Sequence, residues 1–204
     1  MKSEIDSMIG YDENVYWRGK PDKKCFFLES VFNPLMPFAL IWLLFDGIFI
    51  GGFLGSGAVN QQPNIVWFML VFFAIHLMPV WIYVGGLLLI VKRHRNIEYV
   101  VTDKAIYVSS GTWTSHVSMK PLNELSDISV RRGIFDKKIG VGDVITHEIQ
   151  ICDIAEYEKV FKMIKQLQTD LYSDTMYPND LRPETNGGYR TTYTGYYNPE
   201  DNDR

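Results

Sequence analysis

Between Ser30 and Val91 the sequence is almost without charge: Asp46 is the one formally charged residue there. Soluble domains carry charge on roughly a quarter of their residues, so this stretch is excluded from being the outside of one. Cysteine is equally scarce. Cys25 and Cys152 are the two cysteines, and neither has a neighbour at metal-ligand spacing. Two free thiols suit a reducing cytoplasm. His94, His116 and His147 also lack metal-site spacing. No segment has a basic excess: residues 1–29 hold 5 basic and 6 acidic side chains, residues 92–172 hold 12 and 11, and residues 173–204 hold 3 and 6. A nucleic-acid partner is therefore excluded, and the net charge of −4 gathers mainly in the tail.

Catalytic motifs are missing too. Ser109, Ser110, Ser115 and His116 lie close in sequence, but no local pattern marks an activated nucleophile. Gly140-Val141-Gly142-Asp143 lacks the third glycine and the following helix of a nucleotide loop and reads as a turn with a bulge. The chain is thus not expected to be an enzyme, and neither a cofactor nor a resident metal is expected. A cleavable leader is not expected either, because residues 1–29 are of mixed charge and no small-residue cleavage pattern follows the apolar run.

What is present begins with two apolar runs, about 32–54 and 65–91, each near the ~20 residues that cross ~30 Å of hydrocarbon. Pro34 and Pro37 sit in the first turns of the first run, where a missing amide matters least. Gly55 to Asn64 is short, polar and uncharged, as a hairpin loop should be. Lys20, Lys23 and Lys24 precede the first run, Lys92, Arg93 and Arg95 follow the second, and the loop has no basic residue. The positive-inside rule then places both termini in the cytoplasm and the loop outside. The expected domains are a cytoplasmic lead-in over 1–30, a two-helix transmembrane hairpin over 31–91, a soluble domain over 96–172 and a tail over 173–204.

After Asn96 the period changes to two. Ile97, Tyr99 and Val101 alternate with Glu98, Val100 and Thr102, and Ala105 to Ser109, Trp113 to Met119, Leu125 to Arg131 and Val144 to Cys152 continue a strand-and-turn rhythm. This predicts an antiparallel sheet or small barrel. Ile154, Tyr157, Phe161, Ile164, Gln168 and Leu171 then fall on one helical face, with Asp153 and Glu156 as a capping-box-like start. Ser173 to Arg204 has almost no aliphatic residues and is predicted to be disordered; Tyr177, Tyr189, Tyr193, Tyr196 and Tyr197 lie in it.

The segment Tyr99-Val100-Val101-Thr102-Asp103-Lys104-Ala105-Ile106-Tyr107-Val108-Ser109-Ser110-Gly111 resembles the opening hairpin of the bacterial pleckstrin-homology-like (PH-like) domain of small membrane proteins. Pro121-Leu122 through Ile128-Ser129-Val130 is similar to that family's third and fourth strands, and Ile139 to Val144 to its Gly-x-Gly and following strand. Glu13 to Pro21, ahead of a two-helix hairpin, looks like the family's lead-in. The resemblance runs from about Glu13 to Leu171. It implies a membrane α-helical hairpin followed by a PH-like antiparallel β-barrel of about seven strands, capped by the C-terminal α-helix, in a bacterial plasma membrane. It implies no agreed activity, and the basic phosphoinositide motif of eukaryotic relatives has no match here.

Several residues are candidates for function. Asp46 at mid-span costs about 2.5–3.5 kcal/mol on insertion scales, and His76 falls level with it if the hairpin packs antiparallel. The pair is either a structural interhelical hydrogen bond or part of a proton or ion path, which two helices can enclose only by oligomerising. Gly47, Gly51 and Gly55 repeat at the spacing that lets helices approach, for self-association or hairpin packing. Lys92, Arg93 and Arg95 are topology signals that also suit anionic headgroups. Arg131, Arg132, Lys137 and Lys138 flank Ile134 and Phe135, either as a solvated turn or as a lipid- or partner-binding patch.

The expected function is a non-enzymatic, membrane-tethered interaction or assembly module at the cytoplasmic face. Its expected partners are membrane lipids, a second copy of itself or other membrane proteins. The alternatives are an anionic-lipid surface sensor and a small oligomeric transport or channel-like subunit using Asp46 and His76.

Overall fold

A computed structural model describes residues 4–57 and 63–176. The tail beyond 176, with its tyrosines, and residues 58–62 of the Gly55–Asn64 loop lie outside the described residues. The chain divides into two units: residues 4–26 with 92–176, and Phe27–Val91.

The first unit is built on two antiparallel sheets. One has the order β1 (Val15–Gly19), β2 (Glu98–Thr102), β3 (Ala105–Gly111), β4 (Ser115–Pro121); the other has the order β5 (Ser129–Arg131), β6 (Gly142–Ile145), β7 (Gln150–Ile154). β1 comes from the segment read as a polar lead-in. It pairs with β2 from Val15 opposite Thr102 to Gly19 opposite Tyr99, with a register shift between Val15 and Trp17.

β2 is buried on both faces, which explains its consecutive Val100 and Val101. Tyr99 and Val101 join Ile106, Val144, Ile151 and Ile154 in the main core. Val100, with Ala105 and Tyr107 of β3, is covered on the other face by Ile5 from the 3-10 turn Ile5–Ser7.

The expected closed barrel is not formed: β4 and β5 do not pair. β4 ends at Pro121, which has no amide to donate, and the 3-10 turn Leu122–Glu124 then leads the chain away. The stretch Val144 to Cys152, read as one strand, is a hairpin. Thr146 folds it, its amide donating to Ile149 O at 2.9 Å and its Oγ1 accepting from Ile149 N at 3.0 Å.

The C-terminal helix, labelled α7 (Tyr157–Met176), is present and apolar on one side. Its fully buried residues are Val160, Met163, Ile164 and Leu167, whereas Tyr157, Phe161 and Leu171 pack at the margin. Each complete burial is worth ~1.5–3 kcal/mol. Gln168 fits the stripe because its Nε2 donates to the carbonyls of Leu122 (3.3 Å) and Leu125 (2.7 Å). Asp153 is not the cap: it belongs to β7, with φ 58°, and the helix starts four residues later.

The second unit is helical. α1 (Lys23–Val31) leads into it and is followed by α2 (Leu35–Gly55). Most α2 side chains, such as Ile41, Leu44 and Ile48, are exposed, the reverse of a helix in a soluble core. Among the described residues, α2 is the one single helix long and apolar enough, by length and composition, to cross a membrane.

The second apolar run is not one continuous helix. It divides into α3 (Pro63–His76), α4 (Met78–Leu88) and α5 (Ile90–Asn96), with a 56° bend between the first two. Pro79 lacks the amide that would continue the ladder, so the chain breaks at Leu77.

Candidate functional site

The lead-in is held to the two-sheet unit by polar side chains as well as by β1. Asp103 accepts from the amide (3.1 Å) and Nδ2 (3.0 Å) of Asn14. Glu13 accepts from Thr102 Oγ1 at 2.9 Å and from Tyr107 OH at 3.1 Å. Burial first, and the Glu13 hydrogen bond second, push the Tyr107 phenol up to about 12. Further on, the Asp22 amide donates to Asp153 O at 2.7 Å, and Asp22 Oδ1 caps α1 through the Cys25 amide at 2.9 Å.

These contacts lead to a buried node. Asp136 accepts the Gly133 amide at 2.6 Å and the Cys25 thiol at 3.0 Å. The first contact starts α6 (Ile134–Ile139). The Cys25 thiol is pushed far up, by burial first and then by its bond to Asp136. A thiol held protonated is a hydrogen-bond donor and a poor nucleophile.

The segment around Ile134, read as either a solvated turn or a binding patch, is therefore a short helix with a buried carboxyl beneath it. Arg131 pairs with Asp143 (Nη2 to Oδ2, 3.1 Å), and Asp143 Oδ1 also accepts the Asp153 amide at 2.9 Å, next to the register shift between Gly142 and Val144. Arg132 donates from Nε to Val141 O at 3.0 Å and lies over the Tyr157 ring at 5.1 Å. The ring of Tyr157 approaches Gly142 so closely that a Cβ there would meet it at 2.8 Å. Both arginines are thus engaged within the fold. Ile134, Lys137 and Lys138 are exposed and Phe135 is half-buried. Only part of the candidate patch faces outward as freely placed charge.

In the helical unit the structure brings Asp46 and His76 together. His76 Nδ1 lies 2.9 Å from Oδ1 and 3.1 Å from Oδ2 of Asp46, whose side chain is 1% exposed. Trp42, one turn before Asp46, donates from its indole to His76 O at 2.7 Å. Trp81 donates likewise to Ala74 O at 3.1 Å. Both carbonyls lie just before the break at Leu77, where the helical ladder is interrupted. Two indoles thus satisfy two of the carbonyls beside the break, and the Asp46 carboxyl meets the imidazole at Nδ1. Sequence reading missed Trp42; its i, i+4 spacing to Asp46 was the available signal.

The candidate glycines Gly47, Gly51 and Gly55 have open space where a Cβ would stand. They are not where α2 meets α4 or α3. Arg93 and Arg95 are exposed and Lys92 half-buried; the Arg93 guanidinium lies 5.9 Å from the Phe26 ring centre. Of the weakly grouped hydroxyls, Ser109 Oγ donates to Asn96 O at 3.1 Å, and Ser115 Oγ bonds to Glu4. Neither touches His116, whose Nε2 is 3.1 Å from Ser118 Oγ.

A family model described as the bacterial PH domain matches residues 41–168. Neither the curated proteins nor the solved structures contain a match to the chain. The matched region starts inside α2 and takes in both sheets from β2 onward and most of α7, so the family's pattern joins apolar helices to a PH-like fold in the order found here. By that match the chain belongs to the bacterial PH domain family.

Proposed function

We propose that the chain is a non-enzymatic, membrane-tethered interaction and assembly module. Its PH-like domain and both termini lie on the cytoplasmic face of the plasma membrane, and two crossings form the tether. The observation that carries this reading is the pairing of β1 with β2 across the apolar segment. Residues before and after Phe27–Val91 belong to one folded unit, which favours a segment whose two ends leave from the same side of a bilayer and hence an even number of crossings. The length and composition of α2 support one crossing, and the bent pair α3 and α4 supports the return.

The basic residues flanking the segment on both sides support the cytoplasmic orientation. Tethering concentrates the domain at the membrane, where weak contacts suffice. The open Gly47, Gly51 and Gly55 face supports a second copy or another membrane helix as a partner. The Asp46–His76 contact is sufficiently explained as a helix fastening that no transport role is needed for it.

Single cysteines test the topology. Ser56→Cys, at the end of α2, should react with a membrane-impermeant maleimide in intact cells; Glu158→Cys, on α7, should react only after permeabilisation. Equal labelling of the two sites in intact cells would rule out the two-crossing arrangement.

A further inference from the structure

Three segments of the PH-like unit converge at one end of its four-stranded sheet. β1 ends there at Gly19, opposite Tyr99. α5 enters β2 there. β3 leaves there at Gly111, opposite Ser115 of β4. Asn96 Nδ2 donates to Gly111 O at 3.3 Å, and Ser109 Oγ returns a bond to Asn96 O at 3.1 Å. Gly111 has φ +137°, and a Cβ would lie 1.9 Å from Thr114 O, so the turn closes in a way that needs glycine. Between these segments is a cleft of about 750 Å³.

The charge in the cleft is unbalanced. Arg18, Lys20, Lys92 and Arg95 line it, with Glu4 and Glu98 as its two carboxylates. Glu98 pairs with Arg18 at 3.3 Å, and Glu4 receives Ser115 Oγ. Arg18 is bound to Asp6 as well. Among the described residues, Lys20, Lys92 and Arg95 have no carboxylate at ion-pair distance. Lys20 Nζ instead donates to Arg95 O at 3.4 Å, and Lys92 Nζ lies 3.5 Å from the centre of the Trp113 ring. Cations in excess over carboxylates in a concave site raise the local concentration of anions. A guanidinium with two ammonium groups matches the charge and donor pattern that phosphate oxygens accept.

Trp113, 78% exposed, stands beside this cleft. An exposed indole is costly in water and favoured at the headgroup level of a membrane. Lys92 directly follows the apolar Val91 in the chain.

We propose that this cleft is a binding site for a phosphate-bearing anion, namely the phosphodiester of an anionic membrane lipid, held by Lys20, Lys92 and Arg95 with Trp113 at its edge. The assignment of the phosphate to a lipid rests on the tethered reading above; the cleft's preference for phosphate does not.

The test uses the full chain in neutral detergent, with lipid retention measured by native mass spectrometry against phosphatidylglycerol and phosphatidylcholine. Each membrane-proximal cation is worth roughly five-fold in affinity. K20Q/R95Q should therefore lose roughly 25-fold in phosphatidylglycerol affinity, while K137Q/K138Q, with the same change of charge on α6, stays near wild type. Phosphatidylcholine should bind poorly to all three. A parallel titration with inorganic phosphate separates the sources. Phosphate binding that the cleft variant loses, without selective lipid retention, keeps the site and assigns it a soluble ligand. Carbonate extraction of the chain from membranes would remove the tether without touching that result. Retention of phosphatidylglycerol by K20Q/R95Q at the wild-type level, or equal losses in both double variants, overturns the proposal. A circular dichroism melt matching wild type shows that each variant is folded.

Discussion

The Cys25 thiol donates to Oδ1 of Asp136 at 3.0 Å across 111 positions of sequence, and both residues are buried. This contact joins the segment before the apolar helices to the start of α6. Asp136 also accepts the Gly133 amide. Asp136→Ala should therefore remove a helix cap and orphan a buried thiol together, at a cost of ~2–3 kcal/mol. Cys25→Ser, which keeps a donor, should cost less. Urea unfolding measures both, and an unchanged midpoint for Asp136→Ala would show that the node contributes nothing to stability.

Residues 96–172 by themselves lack β1, Ile5 and Cys25. They should not unfold cooperatively, because the face carrying Val100 and Tyr107 would be uncovered and β2 would become an open edge. Joining residues 4–26 to 92–176 by a short Gly/Ser linker should restore a cooperative domain. The junction is short: the Phe26 and His94 rings are 5.4 Å apart, and His94 Nε2 donates to Pro21 O at 2.9 Å. Thermal melts of the two proteins decide it; equal melts would make the lead-in dispensable.

In the helical unit, Asp46→Leu leaves the His76 ring without its partner. It should lower the stability of the purified chain in detergent by ~0.6–2 kcal/mol. Asp46→Asn keeps a hydrogen-bonding group facing Nδ1 and should lose less. Steric trapping measures these differences. If Asp46→Leu were as stable as wild type, the fastening role would be lost, and a buried carboxyl in an apolar helix without structural use would point to function.

The PH-like domain should be sensitive to alkali. The Tyr107 phenol lies at an ordinary value near 10 when unfolded and is raised to about 12 when folded, by burial and then by Glu13. A raised value means that the neutral form is favoured by folding. That stability is complete below pH 10 and is lost as pH rises toward 12. Tyr99 is shifted in the same direction, chiefly by burial. Denaturant midpoints of the joined domain should fall over this range, together with the rise in tyrosinate absorbance. Tyr107→Phe should make the fall shallower. A midpoint constant to pH 12 would contradict the part-buried Glu13–Tyr107 contact.

Patterns that depend only on neighbours were visible in the sequence. The stretch from Ser30 to Val91 is apolar whatever surrounds it, and the turn at Asp103-Lys104 between β2 and β3 is a local hairpin. The stripe of α7 was visible too, although shifted: Val160, Met163 and Leu167, rather than Tyr157 and Phe161, are at its centre. A helix stripe is broad, and only the opposing sheet decides which of its residues lie deepest.

Other features were decided by partners distant in the chain. Val15–Gly19 is uniformly half-buried and has no alternation to mark it as a strand; only β2, on the far side of the apolar segment, makes it one. The pairing of His76 with Asp46 and the capping of its carbonyl by Trp42 depend on how two helices meet. Arg131 and Arg132 look like free cations in the sequence, yet Asp143, Val141 and Tyr157 engage them once the β6–β7 hairpin folds back. The sequence by itself determined the apolar segment, the order of the elements and the family pattern, because hydrophobicity and turn chemistry act over a few residues. Tertiary structure alone decided that the sheets do not close into a barrel and that the lead-in completes the domain, because strand pairing and buried polar contacts exist only when remote segments meet.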